Sequence, residues 1–230
     1  MLFFAFAPPS ANRASAGHGA PPRWWPDWKL PLIWLLGVAF GCNNAQFFAV
    51  NAFLPEYLVT AGRPDLIAAA LAALNGSQLV ASTLLLFGAR RMEGRVWPFL
   101  LFGLAALAGV LGLVLGSGAW IVIAAAAVGA CSAVTFVLIF AMAPALSPPG
   151  EAHRISAGMF TISYAIAVVI PILCGALWDR TGAPFTAFVL PALCALVLTL
   201  LGVVLALHRP ARDAGEAVLD GGQSARKLRT

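Results

Sequence analysis

Apolar runs of bilayer-crossing length recur along the chain, separated by short polar breaks. They cover about Leu30 to Leu54, Leu66 to Phe87, Trp97 to Leu115, Ala119 to Ala141, Ile155 to Leu177 and Pro184 to Leu207. A helix of about 20 residues crosses the hydrocarbon layer. None of these runs shows the charged stripe that a soluble helix turns to water. The breaks carry turn chemistry: Gly116-Ser117-Gly118 folds the third run onto the fourth, and Pro144, Pro148, Pro149 and Gly150 end the fourth. Trp178, Asp179, Arg180 and Gly182 join the fifth to the sixth. The pattern predicts an all-α polytopic membrane protein, with six transmembrane helices bundled over residues 30–207.

The flanks read differently. Leu2 to Ala7 is apolar but too short to span, and PPSANRASAGHGAPP after it has the composition of a flexible linker. A secretory signal places basic residues before its apolar core, whereas Arg13 follows this one. Residues 1–29 are therefore expected to be a cytoplasmic linker holding the remnant of a preceding helix. Its end, Trp24, Trp25, Trp28 and Lys29, has the aromatic and basic character of a membrane-interface anchor. Residues 208–230, rich in charge and glycine, are expected to form a disordered cytoplasmic tail.

Composition supports the membrane assignment: 61% of residues are hydrophobic, 10% are charged, and the mean hydropathy is +0.90. Soluble domains carry about 25% charge. The net charge of +5 follows span-flanking residues, with no aromatic–basic groove pattern, so it indicates orientation and not nucleic acid. Twelve Lys and Arg residues fall in the N-terminal segment, the 2–3 and 4–5 loops and the tail; only Arg63 and Arg180 lie on the other side. Both termini are thus expected in the cytoplasm of a cell whose inner membrane holds the protein. Cys42, Cys131, Cys174 and Cys194 all sit within apolar runs without metal-ligand spacing, as small buried hydrophobes.

Uncharged polar residues concentrate in four of the helices. Helix one has Asn43, Asn44, Gln46 and Asn51, helix two has Asn75, Ser77, Gln78, Ser82 and Thr83, helix four has Ser132 and Thr135, and helix five has Ser156, Thr161, Ser163 and Tyr164. Helices three and six are nearly devoid of them and are expected to face lipid. Leu71, Asn75, Gln78 and Ser82 share one helical face. An amide left in hydrocarbon costs several kcal/mol, so such a face meets protein or a watery cavity. Asn43, Asn75, Gln78 and Tyr164 are the candidate cavity residues, with interhelical hydrogen bonding as the structural alternative. Small-residue steps, Ala125-Gly129-Ala133 and Ala167-Pro171-Gly175, suit close helix packing. Pro171 also suits a gating kink.

Enzyme chemistry finds no support. The spans contain no carboxylate pair and no histidine, and Ser132 in the GACSA stretch has no partner histidine. No cofactor or metal site is expected. No short re-entrant filter segment suggests a channel.

The stretch FGCNNAQFFAVNAFLPEYLVTAG, Phe40 to Gly62, resembles the seventh helix and outer loop of major facilitator superfamily carriers of the cyanate and nitroimidazole transporter group. SAGMFTISYAIAVVIPILCGALWDRTG, Ser156 to Gly182, is similar to the family's eleventh helix, with Tyr164, Ala167, Pro171, Gly175, Asp179 and Gly182 at matching places. The resemblance covers residues 30–207 and implies the carboxy-terminal six-helix half of a secondary transporter for a small solute, such as an anion. It adds Asp179 and Gly182 to Pro171 and Gly175 as gating or packing candidates. The implied partners are the bilayer, the solute, and an amino-terminal six-helix half or a second copy of the chain. A non-transporting membrane accessory protein is the alternative. The family's Gly-Asp-Arg-Gly-Arg loop maps onto LFGARRMEGR, where Arg91 replaces the expected aspartate.

Overall fold

The computed structural model describes residues 25–92, 95–148 and 150–207. The expected linker with its helix remnant, up to residue 24, lies outside the described residues, as do the tail from His208 and loop residues Glu93 and Gly94.

Six helices long and apolar enough to cross a membrane form among the described residues: α1 Pro31–Thr60, α2 Ile67–Met92, α3 Trp97–Leu115, α4 Ala119–Leu146, α5 Ala152–Thr181 and α6 Val189–Leu207. Single 3-10 segments, Pro64–Leu66 and Pro184–Phe188, lead into α2 and α6. α1 and α4 overrun their expected ends, with Pro55 and Pro144 inside them and terminating neither, and Pro171 lies inside α5. Each proline removes one donor, a loss that neighbouring helices in a membrane bundle can absorb. Gly182, with φ 66°, ends α5 in the left-handed conformation, and its N–H donates to the Trp178 carbonyl at 2.8 Å.

The helices form two layers. The front runs α2–α4–α1–α5, and α3 and α6 pack together behind α4 and α1. Burial follows position: 72% of an 18-residue apolar stretch of α1 is inside the bundle, against 17% for α2 and 22% for α5 at the two edges. Water exclusion cannot drive helix association in lipid, so close backbone approach has to. Gly37 and Gly41 let α5 settle on α1, where an added Cβ would lie 2.8 Å from Ile162 or Ile166. Gly129 brings α4 against the Leu74 carbonyl of α2. On the back, Gly103 of α3 accommodates Thr199 and Gly202 of α6 accommodates Phe99.

Candidate functional site

The front layer has an incomplete face, floored by α1 and α4 and bounded by the sparsely buried α2 and α5. Successive residues on α1 point about 100° apart, so its three asparagines divide among different neighbours. Asn43 turns into α4: its Oδ1 accepts from the Thr135 hydroxyl at 2.6 Å and faces the Ser132 hydroxyl at 3.4 Å, and the residue is only 1% exposed. Asn44 turns toward α5 and donates its amide N–H to Ser163 Oγ at 2.9 Å. Asn51, two turns further out, donates to Asn75 Oδ1 of α2 at 3.0 Å, and Asn75 donates to the Leu71 carbonyl at 2.9 Å.

The four candidates therefore separate. Asn75 and Tyr164 are exposed and Gln78 is half-buried, which leaves all three accessible at the front edges. Asn43 is enclosed in the α1–α4 interface and fastens it. Among the gating or packing candidates, Pro171 lies within an unbroken α5, and Gly175 has only ordinary contact with Phe53, 3.4 Å from an added Cβ. Asp179 is exposed in the last turn and Gly182 is the cap.

Two features escaped the sequence reading. Gln46 is 1% exposed, and its Nε2 has no hydrogen-bond partner among the described residues. The second is a set of five rings where α4 and α5 flank α1. Phe40 of α1 lies 4.7 Å from Phe136 of α4 and 5.5 Å from Phe160 of α5, measured between ring centroids. Phe140 closes the ring set against Phe160 at 6.0 Å, and Tyr164 stacks on Phe160 at 6.1 Å. The i, i+4 pairs Phe136/Phe140 and Phe160/Tyr164 were visible signals, but only the fold brings them together.

Fixed charge is confined to the helix ends. Arg154, at the start of α5, donates its Nε–H to the Trp25 carbonyl at 2.8 Å and pairs with Glu151 at 3.1 Å, which ties the approach to α1 onto α5. Arg63 pairs with Asp65 in the opposite loop at 3.2 Å. No group of three His, Cys, Asp or Glu residues that could hold a metal occurs among the described residues. An apolar recess of about 630 Å³ between the starting turns of α1 and the end of α6 is lined by Leu32, Trp34, Leu35 and Leu205, and the Trp34 indole N–H is already given to the Trp28 carbonyl at 3.0 Å.

A family model described as the uncharacterised MFS-type transporter YbfB matches residues 1–206. No curated protein matches the chain.

Proposed function

The chain belongs to this MFS-type transporter family, and from that premise we propose that it works as the carboxy-terminal six-helix half of a secondary transporter for a small solute. It is a multi-pass protein of the inner membrane, with a six-helix bundle consistent with one half of the major facilitator fold. The observation that carries the proposal is the polar front: Asn75 and Tyr164 lie exposed, and Gln78 half-exposed, on the two helices the bundle buries least. Amides are costly against lipid, so this face suits a watery cavity completed by a second six-helix body. Alternating access by rocking of two bodies then places the solute between them. The opposite body is an amino-terminal half or a second copy of the chain.

Assignment to the cyanate and nitroimidazole group rests on the Phe40–Gly62 and Ser156–Gly182 stretches. An anionic solute would draw its countercharge from the opposite body, since the described spans present only neutral groups at the front. The twelve-to-two distribution of basic residues supports cytoplasmic termini.

The test is uptake into vesicles that hold the chain alone or with an amino-terminal half, across a panel of neutral, anionic and cationic solutes. Saturable uptake that needs both bodies and drops when Asn75 is replaced by Leu is the expected result. An assembled pair that binds protein partners and moves no panel member refutes transport.

A further inference from the structure

We propose that the recess between the start of α1 and the end of α6 seats one acyl chain of an anionic phospholipid whose phosphate is held at Lys29. The site is independent of the transport reading. Depth separates the recess from a flat lipid-facing wall. Within its volume of about 630 Å³, Leu205 lies fully buried at the base, Leu32, Leu35 and Leu201 are half-buried along the sides, and Trp34, 51% exposed, stands at the rim. Pro31, the first residue of α1, and Val38 both line it. It therefore runs about 10 Å along the helix axis, from the membrane interface into hydrocarbon. Trp28 and Trp34, with ring centroids 6.4 Å apart, mark that interface.

Chemistry decides what fills it. Water finds no partner there, because the lining is aliphatic apart from Trp34, whose indole N–H is already donated to the Trp28 carbonyl. An empty recess forfeits dispersion contacts for every side chain around it. The apolar start of this chain, Leu2 to Ala7, is too short to pair its own peptide groups, and an aliphatic lining would leave them unsatisfied. A hydrocarbon chain carries no such groups, and the bilayer supplies it.

Charge then selects the headgroup. Lys29, exposed two residues before Pro31, forms no ion pair among the described residues; its backbone N–H donates to Asp27 Oδ1 at 3.2 Å. Beyond the other wall the sequence continues from Leu207 as His208-Arg209-Pro210-Ala211-Arg212. Chain length alone keeps Arg209 within about 7 Å of Leu207 and Arg212 within about 18 Å. Asp27 is the only carboxylate in residues 25–38 and 201–212, so three basic residues flank the two walls against one acid. Basic residues clustered at a helix end attract anionic headgroups.

The test uses lipids brominated on the acyl chain, which quench a tryptophan they touch. The full chain in phosphatidylcholine nanodiscs receives brominated phosphatidylglycerol or brominated phosphatidylcholine, and the difference between parent and Trp34→Phe isolates the Trp34 signal. Phosphatidylglycerol is expected to bind at Trp34 about five-fold or more tighter than phosphatidylcholine. Lys29→Gln should cut that preference about two- to five-fold, and adding Arg209→Gln and Arg212→Gln should bring it near one. Trp120, 68% exposed at the opposite membrane face and isolated in the same way with Trp120→Phe, should show no such preference. Leu201→Phe with Val204→Phe narrows the recess and should weaken both lipids at Trp34, with melting by a thiol-reactive dye confirming the fold. Equal affinity for the two lipids at Trp34, a preference that survives the three charge changes, or the same preference at Trp120 overturns the site. So does quenching that appears only after residues 1–7 are removed, which would put the chain's own start in the recess. Quenching lost as protein concentration rises would put a second copy there and overturns it equally.

Discussion

Gly129 is the position where one added carbon does most to test the fold. An ideal Cβ there would overlap the Leu74 carbonyl oxygen and stand 2.8 Å from its carbon and 2.5 Å from Ser77 Oγ. The obstacle is the backbone of α2, so no rotamer change clears it, and α2 has to retreat from α4 by about 1 Å to restore ordinary contact. Overpacking of this kind costs about 1–3 kcal/mol. Since α4 is the main neighbour of α2, little else compensates. Replacing glycine by alanine also changes helix propensity by about 1 kcal/mol, and Gly175→Ala supplies the correction because its Cβ only touches Phe53, at 3.4 Å.

The four buried thiols make the assay: Cys42, Cys131, Cys174 and Cys194 react with a fluorogenic maleimide only as the bundle opens. At about 2–4 °C per kcal/mol for a chain of this size, Gly129→Ala should melt about 2–12 °C below Gly175→Ala. Adding Ser77→Ala should recover little, because the carbonyl remains. Equal midpoints for the two glycine variants, or full recovery with Ser77→Ala, would refute backbone contact as the source of α2–α4 packing.

Thr135→Val keeps the shape of the side chain but removes the hydroxyl 2.6 Å from Asn43 Oδ1. Bonds of this kind in membrane bundles are worth about 0.6–1.7 kcal/mol, so the midpoint should fall by about 1–7 °C, and an unchanged midpoint would show the bond to be idle. Gln46→Met removes a buried donor that lacks a partner among the described residues; since such a donor costs about 1–3 kcal/mol, the variant should melt at or above the parent temperature, and a clear fall would show that the amide is satisfied. With the native cysteines replaced, Ala183→Cys should label with an impermeant thiol reagent in intact cells while Ser15→Cys and Ser224→Cys stay protected; labelling at Ser15→Cys reverses the orientation.

The spans were legible because hydrocarbon imposes length and apolarity on every crossing segment. Their ends were less so. Pro144 read as a terminator, yet α4 continues to Leu146, and α1 runs through Pro55 to Thr60, because a bundle tolerates the donor a proline removes. The polar count separated the front helices from α3 and α6. It did not rank the amides, because helical rotation sends Asn43 into α4 and the adjacent Asn44 toward α5, and no local property of either residue says which neighbour stands there. The same limit hid the aromatic cluster. Its rings come from three helices distant in sequence, and each phenylalanine looks like ordinary span filler until the chain is folded. The tight spacing in helix four was visible in Ala125, Gly129 and Ala133; the matching step in helix five was not used at Gly175, and α1 supplies the contact through Gly37 and Gly41.

The division of labour among helices explains why burial and polarity run opposite to a soluble protein. A globular domain hides its polar helices at the surface and its apolar ones inside. Here the apolar α3 and α6 brace the back, and α1 carries Asn43, Asn44 and Gln46 into the most buried position. That placement holds because hydrocarbon cannot satisfy an amide and another helix can. Asn43 and Asn44 each find a hydroxyl, on α4 and α5 respectively, so the central helix is fastened to both sides of the front by directional bonds. The edge helices bury little and few bonds hold them: α2 is held by shape at Gly129 and by the Asn51–Asn75 pair, and α5 by the Asn44–Ser163 bond, the glycine step on α1 and Arg154 at its first turn. A bundle built this way is rigid at its middle and least constrained at its two front edges, where Asn75 and Tyr164 are exposed. In a two-body carrier those edges are where contacts must form and break on each cycle, so weak burial of α2 and α5 is the physical condition for rocking, and strong burial of α1 and α4 keeps the solute-facing floor intact through it.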